Sequence, residues 1–88
     1  MNTEIVKEWL INLDQNGKSQ HTSLAYHRGI KHFMKWYEEI YEASLDISLV
    51  MPRDIRNWKS HQQSIEKVSP ATINQRLVAV TNFFQWAK

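Results

Sequence analysis

Apolar residues recur at three- and four-residue steps in four stretches of the chain. Ile5, Val6, Trp9, Leu10 and Leu13 form the first, behind Thr3 as a candidate N-cap, and Asn16-Gly17 supplies a stop, so the spacing predicts a helix over about residues 3–16. After the Gly17-Lys18-Ser19 break, Tyr26, Ile30, Phe33, Tyr37 and Ile40 predict the longest and most regular helix, about 20–41, with Ser19 or Thr22 as its cap. Gly29 lies inside that helix, where glycine costs roughly 1 kcal/mol against alanine, and it marks a close approach by another backbone. Residues 42–51 carry Leu45, Ile47, Leu49 and Val50 without a clean period and read as a packed connection. Pro52 then opens a third helix, about 52–64, anchored by Ile55 and Trp58. Ser69-Pro70 places an N-cap before a proline at the first helical position, and the fourth helix, about 70–88, has Ile73, Leu77, Val80 and Phe84 as its expected inner stripe. Joints this short bring neighbouring helices into contact, so the predicted fold is all-α, a compact four-helix orthogonal bundle.

Eighty-eight residues make one domain, and a chain of this size buries a smaller share of its surface than an average domain. Its ten aromatic residues compensate, because each large ring buries more area than an aliphatic side chain. The absence of cysteine excludes disulfides and thiolate metal sites. Glu4 and Glu8 stand where a basic leader would carry cations, and no apolar run approaches a membrane span, so a soluble, cytoplasmic protein is the expectation.

The net charge of +2 says little, whereas its distribution says more. Residues 15–37 hold Lys18, Arg28, Lys31 and Lys35 and no acid; residues 67–88 hold Lys67, Arg76 and Lys88 and again no acid. All nine acids fall in the remainder of the chain. On the second helix Ser23, His27, Lys31 and Lys35 follow at four-residue steps, with Arg28 beside them, away from the Tyr26-Ile30-Phe33-Tyr37 face. On the fourth helix Thr72, Gln75, Arg76, Ala79 and Asn82 are expected to make an equivalent outward stripe. Hydroxyl, amide and guanidinium groups in this pattern suit phosphate contact and base-edge readout of double-stranded DNA. A polar stripe is also what any solvated helix face shows, and the competing reading is a helical protein-interaction module that docks a partner through the same stripes or the Trp86 end.

Catalytic and metal chemistry find no foothold. No two of His21, His27, His32 and His61 have the three- or four-residue spacing that puts two ligands on one helix face. Glu38 and Glu39 are adjacent and cannot oppose each other as an acid pair. The serines have no glycine-rich elbow or phosphate-cradling loop around them. The expectation is a non-enzymatic chain without cofactor, metal or small-molecule substrate.

Two segments resemble the N-terminal core-binding, SAM-like domain of phage-integrase-type tyrosine recombinases. In TSLAYHRGIKHFMKWYEE, residues 22–39, Thr22, Tyr26, Phe33 and Trp36 hold the family's places. In SPATINQRLVAVTNFFQWAK, residues 69–88, Ser69, Thr72, Ile73, Leu77, Phe83, Phe84, Trp86 and Ala87 follow its cadence. Their order, their separation and the helix start between Val50 and Trp58 agree too, so the resemblance covers nearly the whole chain.

This resemblance implies a domain that embraces one side of a recombination site in a phage or other mobile element, with the second and fourth helices facing the major groove. A separate catalytic domain closes the clamp, and other recombinase protomers complete the assembly. By position, the implied DNA contacts are Thr22, Ser23, His27, Arg28, Lys31 and Lys35 on one helix and Thr72, Gln75 and Arg76 on the other. Asn74 departs from the pattern, standing where relatives often carry a basic residue. The family's catalytic Arg, His-x-x-Arg and nucleophilic Tyr have no counterpart here, and Tyr26, Tyr37 and Tyr41 are expected in the core or at its boundary. The implied object is a core-binding domain cut from a longer integrase.

Overall fold

The computed structural model describes residues 3–87, with side chains placed for 4–87. Four helices follow one another: α1 (Thr3–Gln15), α2 (Gln20–Tyr41), α3 (Pro52–Ser64) and α4 (Pro70–Ala87), with a short 3-10 turn at Ile47–Leu49 between α2 and α3. Among the described residues there is no strand. Thr3, expected as the cap, is the first residue of α1, and the helix end expected at Lys88 lies outside the described residues.

Local chemistry sets the helix ends. Gly17 takes φ +78°, and the N–H groups of Gly17 and Lys18 donate back to the carbonyls of Asp14 and Leu13 at 3.1 and 3.0 Å, closing α1 in a left-handed cap that glycine enters without a Cβ clash. Ser19, and not Thr22, caps α2: its Oγ accepts from the Thr22 backbone N–H at 3.1 Å. Ser69 does the same for α4 through Thr72 at 3.4 Å. At the head of α3 the Asp54 carboxylate accepts from the Met51 N–H at 2.8 Å and from the Tyr41 hydroxyl, which ties the end of α2 to the start of α3.

Each helix sends one ring to a common centre. Trp9, Phe33, Trp58 and Phe83 have no exposed surface, and the pairs Trp9–Phe83 and Phe33–Trp58 meet edge to face with centroids 5.2 Å apart. Burying a side chain of this size contributes about 1.5–3 kcal/mol, so these four rings hold the four helices together without disulfides. Tyr26 stacks on Trp9 and Tyr37 is buried, whereas Tyr41, expected at the core or its boundary, is 44% exposed and is held by its hydroxyl on Asp54 and its ring against Tyr37. All three tyrosines are thus structural.

Two expectations about facing need correction. Ile40 is 57% exposed, and Met34 and Trp36 fill the core face of α2 instead. On α4 the buried residues are Ile73, Ala79, Val80 and Phe83, while Leu77 and Phe84 are only half-buried. The inner face of α4 is therefore rotated by roughly a fifth of a turn from the Ile73-Leu77-Val80-Phe84 line, toward Arg76 and Ala79. The cause is the α2–α4 crossing, the most extensive helix pairing in the domain. A Cβ on Gly29 would meet the Cβ of Ala79 at 2.7 Å and the Cα of Arg76 at 3.4 Å, so the two backbones touch where α2 has no side chain.

Candidate nucleic-acid interface

On α2 the cationic stripe faces outward as the periodicity predicts. Arg28, Lys31 and Lys35 are exposed on the side away from Ile30, Phe33 and Tyr37, whereas Ser23, two turns before Ile30, and His27 are half-buried and flank the core face instead of continuing the outward row. Among the described residues none of the three cations enters an ion pair, since the ionic contacts that form join Glu66 to His32 and His61. Their charge is left to solvent or to a ligand. Partial burial, and then the field of Lys31, hold the His27 imidazole below its ordinary pKa. Thr22 is less free than the pattern suggests, because its hydroxyl accepts from Ser19 Oγ at 2.9 Å as part of the α2 cap. Glu38, at the end of the stripe, turns its carboxylate to the Leu45 N–H at 3.0 Å and fastens the connection after α2.

The α4 stripe is split by the rotation of that helix. Ala79 is fully buried against Gly29, and Asn82 is not an outward amide: its Oδ1 accepts from the buried Trp9 indole at 2.9 Å. Arg76 is half-buried, and its guanidinium donates to Gln62 Oε1 at 2.9 Å. Thr72 is half-buried and joined to Ser69 in the α4 cap, with hydroxyls 3.1 Å apart. Of the α4 residues selected from sequence, Gln75 alone is exposed. The face that α4 turns to solvent carries Ala71, Asn74, Gln75, Val78, Thr81 and Gln85.

Behind Arg76 lies a polar network that no sequence spacing announces. Gln62 is wholly buried, and its Nε2 lies 3.5 Å from the Trp58 carbonyl. The Trp58 indole N–H donates to His32 Nδ1 at 2.9 Å, so the neutral imidazole carries its proton on Nε2 and donates to Glu66 at 3.0 Å. His61 Nε2 approaches the same carboxylate at 4.0 Å. Desolvation first, and then the charge of Arg76, press the His32 pKa below its usual value, against the opposing pull of Glu66. With Nδ1 occupied by an indole proton and Nε2 protonated, His32 is arranged to join α2, α3 and the α3–α4 link. Among the described residues no group of three or more histidines and carboxylates is arranged to hold a metal ion. No described helix is long and apolar enough to cross a membrane.

The arrangement therefore offers a cationic face on α2 without carboxylate partners among the described residues, an α4 that packs on the other side of α2 and turns short amides to solvent, and a polar joint between them and α3. The profile of the phage integrase, N-terminal SAM-like domain family matches residues 6–88. No characterised protein and no solved structure matches the chain.

Proposed function

Because the chain belongs to the family of phage integrase N-terminal SAM-like domains, whose full-length members are recombinases, we propose that it grips double-stranded DNA as the non-catalytic arm of a tyrosine recombinase. In this reading the catalytic groups come from a separate domain of a longer protein, and other protomers supply the rest of the assembly on the recombination site. The observation that carries the reading is the row Arg28, Lys31 and Lys35, exposed on one side of α2 and free of carboxylate partners among the described residues. Cations held this way neutralise phosphates and release counterions, a contribution that needs no particular base sequence. His27, at the border of the row, adds a short polar contact, Ser23 lies farther round toward the core face, and Gln75 is the exposed candidate on α4. Thr22 and Thr72 act chiefly through the helix ends they complete, and Arg76 supports α4 from behind.

Binding of a labelled duplex across a range of salt concentrations tests this. Affinity should fall steeply as salt rises. Lys31→Ala with Lys35→Ala should weaken binding and reduce the slope of log K against log salt by about 0.9 for each phosphate that is no longer neutralised. Lys7→Ala with Lys59→Ala, which removes the same charge from α1 and α3, should leave the slope unchanged. If both pairs change the slope equally, the grip is not on α2. If binding is indifferent to salt, a protein-docking role through the same helices is the better description.

A further inference from the structure

The head of α3 and the C-terminal half of α4 leave a hollow of about 420 Å³ between them. Val80 forms its floor, Val50, Met51, Ile55 and Phe84 its apolar walls, and exposed Arg56 stands at its edge. None of the lining residues belongs to α2, so the hollow is separate from the row of Arg28, Lys31 and Lys35. Met51 keeps 50% of its surface exposed, although a methionine among apolar neighbours gains by burial. We propose that this groove takes an acidic amphipathic helix of a protein partner, with apolar side chains in the hollow and carboxylates on Arg56 and Lys59.

The charge of the groove is one-sided. Arg56 and Lys59 are exposed neighbours on α3 and form no ion pair among the described residues. Helix α4 carries no acid, and the sole acid of α3, Asp54, is buried with its carboxylate on the Met51 N–H and the Tyr41 hydroxyl. The groove is also longer than the hollow. Arg76 meets Gln62 at one end, and Phe84 lines the hollow with Ile55 at the other, so α3 and α4 run antiparallel. Lys59, four residues after Ile55, therefore lies on the flank of α3 that continues the groove toward half-buried Leu77. From Pro52 to Lys59 α3 rises about 10 Å, roughly two turns. An occupant that fills the hollow and reaches both cations needs that length, which suits a helix with apolar anchors at i, i+4 and i+7. A second copy of this chain has no such face: its exposed acids flank one aliphatic residue at a time, Ile11 between Glu8 and Asp14 on α1, and Ile40 beside Glu39 at the end of α2. Docking of this kind is independent of the DNA grip on α2.

Amide NMR titration of the chain at moderate salt with a short alanine-based helical peptide, bearing leucines at i, i+4 and i+7 and glutamates beside them, tests this. The peptide should shift resonances of residues 50–59 and 77–85 and leave those of Arg28, Lys31 and Lys35 in place. Replacing its glutamates by lysines, or its leucines by alanines, should weaken binding several-fold. Arg56→Ala with Lys59→Ala should weaken the acidic peptide several-fold and leave duplex binding unchanged. Thr81→Glu, at an exposed position of the lining, should reject the acidic peptide and admit the lysine one. No binding of the acidic peptide, equal binding of the lysine peptide, or shifts centred on Arg28, Lys31 and Lys35 would overturn the assignment. So would self-association of the chain in sedimentation that Arg56→Glu abolishes, since the occupant would then be a second copy.

Discussion

Gly29 and Ala79 meet so closely that a methyl group added to the glycine would lie 2.7 Å from the alanine Cβ. This contact sets the orientation of α4, and through it the identity of every residue the helix offers to a ligand. Gly29→Ala should gain some helix propensity yet lose more to overpacking, with a net destabilisation of about 1–3 kcal/mol in chemical unfolding. Adding Ala79→Gly should return part of that loss, and a double variant no better than the single one would mean that the crossing does not depend on this pair.

Arg76 should behave as a structural residue. Truncation to alanine leaves the buried Gln62 Oε1 without its donor, which costs about 1–3 kcal/mol. The loss should appear in thermal unfolding, while the salt slope of duplex binding, measured well below the melting temperature, stays that of the wild type. Gln62→Met in the same background removes the stranded acceptor and should recover stability.

The two asparagines of α4 make a contrasting pair. Asn82→Ala takes the acceptor from the fully buried Trp9 indole and should cost about 1–3 kcal/mol. Asn74→Ala, on the exposed face and without a hydrogen bond to the rest of the protein among the described residues, should stay within about 0.5 kcal/mol of the wild type.

Stability should depend on pH through His32 and His27. Both have folded-state pKa values below the ordinary 6.5, so the unfolded chain binds more protons as pH falls. Their contribution is complete above pH 6.5 and is lost progressively below it, until the pH passes the depressed native values. Protonating His32 Nδ1 also ends its acceptance of the Trp58 indole proton. His32→Gln should flatten the pH dependence of the unfolding free energy between neutral and mildly acidic conditions without abolishing it, since His27 still titrates. An unchanged slope would mean that His32 is not the titrating group.

Much of this protein is determined by the sequence alone. Helix bounds follow from capping and stop residues adjacent in the chain, and the bounds read from Ser19, Gly17, Pro52 and Ser69-Pro70 agree with the structure. The cationic row on α2 is legible for the same reason, because a regular helix with one clear apolar side leaves no choice about where its other side points. On α4 that logic fails. Its apolar residues surround most of the helix, so periodicity admits more than one inner face, and the choice falls to the partner that comes closest. Gly29 made a close approach legible, but its partner, Ala79, and the burial of Arg76 beside it were not, because they are contacts between residues far apart in sequence. The same holds for the Trp9–Asn82 bond and for the His32, Trp58, Gln62 and Glu66 network, whose members lie on different elements. Helices and charge rows are local and survive in one dimension, whereas the face a crowded helix shows to solvent is fixed only when its neighbours have packed against it.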